Sequence, residues 1–195
     1  MSRLVELLQD NRTTIEDIED YLDGLDGETR VAESRAVGPA EQRRLWRLAR
    51  GRKVTLDDIV PADRGPLEPV RHYGRNTLPL FRIFEKRFCR PSEDNGEVLW
   101  GYNEGITRAA VGPGYFVTRL TEGDSRGDVV IDYYQVPSEK PDAWPSIVSN
   151  DGFPSKLVYG QMHDYLRRVS RHVTIGRAYK KDRETPNCFT LCREG

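Results

Sequence analysis

The sequence predicts an α+β protein in which a helical N-terminal segment precedes an antiparallel β-barrel or strongly curved sheet. Apolar residues recur at helical spacing up to about residue 60, and a proline-rich stretch follows. Short β-branched and aromatic runs, separated by turn clusters, then continue to the end of the chain. We therefore predict a helical segment at 1–60, a linker at 61–69 and a β-barrel domain at 70–195.

Short helices account for the first 60 residues. The TTIE sequence at 13–16 matches a capping box and is followed by isoleucine and leucine at helical spacing. Residues 28–37 predict another helix that stops at Gly38, and Pro39 suits the first turn of the next one. The TLDD sequence at 55–58 predicts one further turn.

Strands are predicted where β-branched and aromatic residues are concentrated. These runs lie at 81–88, 98–102, 115–120, 129–136, 173–179 and 189–191. Turn clusters rich in Gly, Pro, Asp and Asn separate them at 91–96, 112–114, 122–127 and 181–187. The polar stretch RHYGRN at 71–76 is interpreted as a loop before the first strand, at the rim of a pocket or purely structural. Short strands between turns indicate a sheet that closes or curves strongly.

Residues 155–171 fit two structures. Leu157, Val158, Met162 and Leu166 belong to a stripe with helical periodicity, and Ser155 could cap such a helix. Alternatively, residues 163–169 fit a strand, residues 170–172 fit a turn, and a second strand begins at residue 173. Local periodicity alone favours the helix.

The cellular context is predicted from the N-terminus and the cysteines. Glu6 interrupts the first apolar residues, so a secretory signal is not expected, and no apolar run is long enough to span a membrane. The three cysteines form no C-x-x-C pair, and Cys188 and Cys192 are interpreted as small apolar residues on one face of the last strand. We predict a cytoplasmic protein; the sequence does not indicate its oligomeric state.

Charge is distributed unevenly along a chain whose net charge is -1. The first 29 residues carry 9 acidic and 2 basic side chains, whereas residues 43–53 contain a dense arginine run. We interpret the basic helix at 39–50 mainly as the partner of the acidic segment 16–28. The near-neutral total argues against nucleic acid as a partner, although binding of another macromolecule through this helix stays open.

Several sequence motifs for cofactor, metal or nucleophilic chemistry are absent. The chain has no G-x-x-x-x-G-K-[ST] loop, no G-x-G-x-x-G, no H-E-x-x-H and no G-x-S-x-G. Its only histidines are His72, His163 and His172, which are too few and too scattered for a histidine-rich metal site. We predict neither a cofactor nor a metal.

Polar side chains on the predicted strands are the candidate ligand-binding residues. Arg119, Arg177 and Tyr179 share strand faces with apolar residues, as does Tyr133. If these faces line a barrel interior, two arginines and two tyrosines converge in an apolar cavity. A buried arginine needs an anion, and arginine with a tyrosine hydroxyl suits a carboxylate. The first hypothesis is therefore binding of a small, largely apolar ligand with an acidic group.

The sequence does not decide whether the chain is an enzyme. Asp132, His163 and Tyr134 are the candidate catalytic residues for an isomerase-, lyase- or hydrolase-like reaction, provided that burial adjusts the pKa of an acid or base in the cavity. The remaining alternative is an interaction protein that uses the basic helix at 39–50.

Four segments resemble a group of uncharacterised bacterial proteins: GPGYFV at 112–117, VIDY at 130–133, HVTIGRAY at 172–179 and FTLCR at 189–193. The strand region also resembles small lipocalin-type or fatty-acid-binding-type barrels. In fatty-acid-binding proteins an Arg-x-Tyr pair near the C-terminus holds the ligand carboxylate, and Arg177 and Tyr179 have that spacing. Another strand follows the pair here, and the lipocalin G-x-W motif is absent. The resemblance implies a barrel and favours strand, turn and strand over 163–180.

Overall fold

The structure, a computed structural model, describes residues 2–79, 82–93, 96–105 and 108–195. The helices are α1 (Arg3–Gln9), α2 (Ile15–Asp23), α3 (Gly27–Ala36), α4 (Pro39–Leu48), α5 (Leu56–Ile59), α6 (Arg108–Val111) and α7 (Ser155–Val158). The strands are β1 (Val70–Asn76), β2 (Ile83–Cys89), β3 (Val98–Glu104), β4 (Phe116–Leu120), β5 (Val129–Asp132), β6 (Met162–Arg168), β7 (Val173–Lys180) and β8 (Arg183–Arg193).

The strands form a closed barrel in sequence order. Each strand pairs antiparallel with the next, and β8 closes the barrel by pairing with β1. Directly paired residues point to the same face, so Val70 shares the interior face with its partner Phe88. Closure leaves none of the described strands at a sheet edge. The predicted fold class, N-terminal helices followed by an antiparallel barrel, is confirmed.

Phenylalanine rings and glycines fill the half of the barrel nearer the β1–β2 connection, which we call the upper half. Three interior pairs of neighbouring strands are Gly74 with Phe84, Gly101 with Phe116 and Gly176 with Phe189. A Cβ atom added at these glycines would lie 2.1–2.5 Å from the facing ring. Each ring therefore occupies the space that a side chain on the neighbouring strand would need.

The two ends of the barrel differ. The lower end, where the chain enters β1, is covered by α5, whose Leu56 and Ile59 join the interior hydrophobic cluster. The Nε2 atom of the buried His72 lies 2.8 Å from the carbonyl oxygen of Ile59, which ties α5 to β1. The upper end carries the connections between β1 and β2, β3 and β4, β5 and β6, and β7 and β8.

Helices α1 to α4 pack on the outside of the barrel. Buried residues of these helices and of β5 to β8 form one hydrophobic cluster, which includes Leu8, Ile18, Leu22, Leu45, Val130, Tyr165, Val173, Ile175, Cys188 and Cys192. Cys188 and Cys192 thus lie on one face of the last strand, as predicted, and both are buried free thiols. The helical segment and the barrel share a core.

Helix capping follows the predicted chemistry with one shift in position. Thr14, rather than Thr13, caps α2, and Asp17 completes the capping box by accepting from the Thr14 backbone. Either threonine satisfies the sequence pattern, so the pattern does not distinguish the two. Gly38 and Pro39 begin α4 as predicted, and Thr55 caps α5 in a second capping box.

The polar stretch at 71–76, predicted as a loop, is instead part of strand β1. Its interior positions are Val70, His72 and Gly74, and the residues between them, Arg71 and Tyr73, point outward. This interpretation was wrong because a strand with one solvated face needs apolar or small residues only at every second position. Because a buried histidine and a glycine occupy those positions, the sequence does not show the alternation of apolar and polar residues that is typical of such a strand.

Two further strand boundaries, the end of β5 and the start of β8, differ from the predicted ones. Strand β5 ends at Asp132, earlier than predicted, because the Asp132 carboxylate accepts from the backbone of Tyr134 and starts a turn. Strand β8 begins at Arg183, so the predicted turn cluster at 181–187 is only a two-residue turn. Residues 155–171 contain both predicted structures, α7 and then β6. The predicted run at 81–88 begins at Phe81, which lies outside the described residues.

Candidate functional site

The structure separates the four predicted ligand-binding residues. Tyr133 lies in the barrel interior, where it joins the interior hydrophobic cluster. Arg119 pairs with Val130, and Arg177 pairs with Tyr165, both of which belong to the outer face under the helices. Tyr179 lies in the same outer cluster. The four side chains therefore do not converge in the interior, because alternation places Tyr133 on the opposite face from the others.

A buried polar cluster occupies the interior near the upper end. The Lys86 ammonium donates to the Asn103 side-chain oxygen at 2.8 Å and also bonds to the Tyr133 hydroxyl. It lies 3.4 Å from the Asp164 carboxylate, which accepts from the Tyr133 hydroxyl at 3.2 Å. The side chains of Lys86 and Asp164 are only 3% and 7% exposed. We call Lys86, Asn103, Tyr133 and Asp164 the interior cluster.

Aromatic rings surround the Lys86 ammonium. Its nitrogen lies 5.0–5.7 Å from the ring centres of Phe84, Phe116, Tyr133 and Phe189. Burial lowers the pKa of Lys86 and raises the pKa of Asp164, since each charged form loses its hydration. Burial likewise holds the pKa of Tyr133 well above its usual value. The environment therefore shifts Lys86 and Asp164 towards their uncharged forms.

A second site lies outside the barrel, between α4 and strands β6 to β8. It is a groove of about 420 Å³. Its lining residues, which we call the arginine groove, are Trp46, Arg47, Arg50, Ser125, Arg126, Arg167, Arg177, Tyr179 and Glu184. Two of the predicted ligand-binding residues, Arg177 and Tyr179, thus line a groove, but on the outer surface.

Two arginines of the groove have carboxylate partners. Arg177 lies 2.8 Å from Glu184, and Arg126 lies 2.7 Å from Asp124. The described residues supply no carboxylate or hydrogen-bond acceptor within bonding distance for the side chains of Arg47 and Arg50. Positive charge in the groove therefore exceeds the negative charge beside it.

Arg167 is held by backbone groups. Its guanidinium lies 3.7 Å from the centre of the Trp46 ring and donates to the carbonyl oxygens of Trp46, Ser125 and Arg126. These bonds connect α4 to the barrel. Burial lowers the pKa of Arg167, and the positive charges of Arg50 and Arg177 add to this effect.

The three candidate catalytic residues come together on the outer face at the end of β5. The Asp132 carboxylate lies 3.3 Å from Nε2 of His163, and the rings of His163 and Tyr134 are 4.8 Å apart. Arg119 lies 3.6 Å from Asp132 on its other side. Hydrogen bonding to Asp132 raises the pKa of His163. This arrangement can hold a proton.

The contact between His163 and Asp132 predicts a pH-dependent stability. A histidine whose folded pKa is raised stabilises the fold below its unfolded pKa, and this contribution is lost as pH rises through the folded pKa. We expect His163→Gln to lower the free energy of unfolding more at about pH 5.5 than at about pH 8.5. Chemical denaturation at both pH values measures the difference.

His172→Gln is the matched control. Burial lowers the pKa of His172, so this residue opposes folding once pH falls below its unfolded pKa. The cost of His172→Gln should therefore shrink at low pH, opposite to the cost of His163→Gln. Equal pH profiles for both variants would contradict the assignment.

Sequence reasoning missed Lys86, Asn103 and Asp164. A signal for Lys86 was present, since Phe84 and Phe88 alternate with it and predict an inward-facing lysine once the strand is assigned. Asn103 and Asp164 lack such a signal because their partners come from other strands. The arginine groove was also missed as a site, since α4 and strand β7 meet only in the fold.

Comparisons with protein families, curated proteins and solved structures found no match for this chain. In the ranges that the structure covers, no helix has the length and apolar character needed to cross a membrane. The same ranges contain no group of three or more His, Cys, Asp or Glu side chains placed to hold a metal ion.

Proposed function

We propose that this chain binds a small ligand that carries an acidic group, and that the arginine groove holds this group. The observation that carries the proposal is the excess of guanidinium groups around one concave surface. Five arginines and a single glutamate line the groove. Like charges held close together repel each other, and an anion relieves that repulsion.

The chemistry of the groove suits an oxyanion. Guanidinium groups donate two parallel hydrogen bonds to carboxylate or phosphate oxygens, and a tyrosine hydroxyl adds another donor. Arg47 and Arg50, which lack carboxylate partners among the described residues, can pair with such an anion, while Arg177 and Tyr179 lie on the opposite wall. Because most of the lining is charged, it favours a more polar ligand than the largely apolar one predicted from sequence.

The barrel interior is the other place for an acidic ligand, as the sequence analysis proposed. The closed barrel is compatible with such a cavity, and Lys86 supplies a cation there. However, Asp164 already opposes that cation at 3.4 Å, so an acidic ligand would bring a second negative charge to one ammonium. An outer groove with unbalanced arginines therefore supports acid binding better than the interior does.

Calorimetric titration with inorganic phosphate and with succinate tests the proposal. We expect wild-type protein to bind at least one of these anions, and Arg50→Met and Arg177→Met each to weaken binding by about tenfold, or ~1.4 kcal/mol. Raising the salt concentration should weaken binding further, since the groove is partly open to solvent.

Arg171→Met is the matched control for this titration. Arg171 is exposed at the turn between β6 and β7, and its side chain does not line the groove. Absence of anion binding by the wild-type protein, or an equal loss of affinity in the Arg171 variant, would overturn the proposal.

Catalysis at His163 is the second candidate function. The observation in its favour is that Asp132, His163 and Tyr134, selected from the sequence as acid–base candidates, are neighbours in the fold. A carboxylate that orients an imidazole is a common arrangement for proton transfer. We expect hydrolysis of an activated ester by the wild-type protein and its loss in Asp132→Asn. Equal rates for both proteins would reject this function.

A further inference from the structure

We infer that Lys86 is a binding and modification site for a small aromatic or apolar aldehyde, which it holds as a protonated imine inside the barrel. The inference concerns the interior cluster and is independent of the arginine groove. Its basis is the position of one amine among aromatic rings, with a hydroxyl and a carboxylate in contact with it.

Lys86 differs from every other lysine of the chain. The sequence contains six lysines, and the other five (Lys53, Lys140, Lys156, Lys180 and Lys181) are exposed or half-buried. Only Lys86 lies in the interior, with 3% of its side chain exposed. The chain therefore contains one interior amine and five internal controls.

Stability alone does not account for this lysine. Removing two opposite charges from water costs more hydration than their attraction usually returns, and apolar side chains of similar size are commonly as stabilising. Phe88, Leu99, Leu166 and Leu191 show that the same interior accepts apolar residues elsewhere. The presence of a Lys86–Asp164 pair in this interior therefore points to a chemical use.

The charge balance of the cluster favours a carbonyl compound over an acid. Asp164 already supplies one negative charge beside the amine at 3.4 Å. A second anion would place two negative charges beside one ammonium, whereas an aldehyde enters without charge. The protonated imine then keeps one positive charge, which Asp164 opposes and the faces of the surrounding rings stabilise.

The reaction balances without an oxidant or a reductant. The lone pair of the neutral Lys86 amine attacks the carbonyl carbon, a C–N bond forms, and one amine proton passes to the carbonyl oxygen. A second proton, from the protonated Asp164 carboxyl, converts the resulting hydroxyl into water as the C–O bond breaks. The imine nitrogen keeps its remaining proton, and the Asp164 carboxylate balances the positive charge. Tyr133 and Asp164, which contact the amine and each other, are placed to move these protons.

Burial also supports the reactivity of the amine. The lowered pKa of Lys86 increases the uncharged fraction at neutral pH, and only the uncharged form is a nucleophile. Each unit by which the pKa falls raises that fraction about tenfold.

In this proposal Tyr159 is the side chain that must move to admit the aldehyde. It follows α7, and its ring stacks on Tyr133 with centres 5.5 Å apart and planes at 17°. Its hydroxyl makes no hydrogen bond within the part of the chain that the structure describes. The neighbouring Leu157 and Val158 are exposed, and hydrogen bonds from Ser155 to the Val111 carbonyl oxygen and from Lys180 to the Leu157 carbonyl oxygen attach α7 to the rest of the fold. Outward movement of Tyr159 opens a space of one aromatic ring beside the interior cluster.

Reductive trapping with benzaldehyde tests the inference. The folded protein is incubated near neutral pH with benzaldehyde and cyanoborohydride, which reduces an imine to a stable secondary amine, and modified lysines are identified by peptide mass spectrometry. We expect Lys86 to be modified at least about tenfold faster than each of the five other lysines. Lys86→Met should leave only slow, exposure-dependent labelling.

Tyr159 variants provide the second measurement. Tyr159→Ala and, as a smaller change, Tyr159→Leu should accelerate labelling of Lys86, whereas Phe153→Ala, which removes an aromatic ring that is 84% exposed in the same connection, should not. Circular dichroism confirms that each variant is folded before labelling. If Lys86 stays unmodified in the wild type and in both folded Tyr159 variants while exposed lysines react, the inference is overturned.

Discussion

Replacing Asp164 with leucine should lower the free energy of unfolding by about 3–5 kcal/mol. The substitution leaves the Lys86 ammonium in the barrel interior without its carboxylate, and only neutral oxygens of Asn103 and Tyr133 remain beside it. A buried charge that loses its partner keeps its full hydration cost. Urea denaturation at neutral pH, followed by circular dichroism, measures the loss.

The double variant Lys86→Met with Asp164→Leu is the decisive control. It removes both charges together and replaces them with apolar groups, so its stability should lie within about 1 kcal/mol of the wild type. The single variant Lys86→Met should also be destabilised, because the remaining Asp164 carboxyl must then bind a proton to stay buried. A double variant as unstable as Asp164→Leu would show that shape, rather than charge, dominates at this position.

The loss in Asp164→Leu should also shrink as pH rises. Burial already lowers the folded pKa of Lys86, and removing Asp164 lowers it further because that carboxylate favours the ammonium. The unfolded chain then binds more protons than the folded one below the usual lysine pKa of about 10.4. Stability therefore rises with pH up to that value, which denaturation between neutral and alkaline pH would show.

Replacing Gly101 with alanine should destabilise the barrel by about 3 kcal/mol, at the upper end for overpacked cores. The added Cβ would lie 2.3 Å from the Phe116 ring and 2.4 Å from the Arg87 carbonyl oxygen. The ring can move, but the carbonyl belongs to the β2–β3 ladder, which the closed barrel holds on both sides. Thermal and chemical unfolding would both report the change.

Gly27→Ala is the matched control. Gly27 begins α3, and an added Cβ there would meet nothing within 4 Å. This variant should be as stable as the wild type or more stable by about 0.4–1 kcal/mol, since alanine restricts the unfolded chain. Combining Gly101→Ala with Phe116→Leu should recover only part of the loss, because the carbonyl contact persists. Full recovery would mean that the ring alone sets the cost.

The class of the fold and most of its elements could be predicted from local patterns in the sequence. Helix starts were readable because capping is local: a threonine accepts from a backbone amide three residues later, as at Thr55. Strand β4 could be predicted for a similar reason, since a run of β-branched and aromatic residues between turns favours a strand over other secondary structures. Strand β1 could not, because His72 and Gly74 occupy interior positions that sequence patterns assign to apolar residues.

The positions of the candidate sites, in contrast, depend on how the strands and helices pack in three dimensions. Side-chain direction alternates at each residue of a strand, and a closed barrel turns that alternation into inside or outside, which placed Tyr133 apart from Arg177. The interior cluster and the arginine groove each unite residues from elements distant in the chain, such as Lys86 with Asp164 and Arg50 with Arg177. Local patterns record the spacing of neighbours along the chain, whereas these sites depend on the register and closure of eight strands.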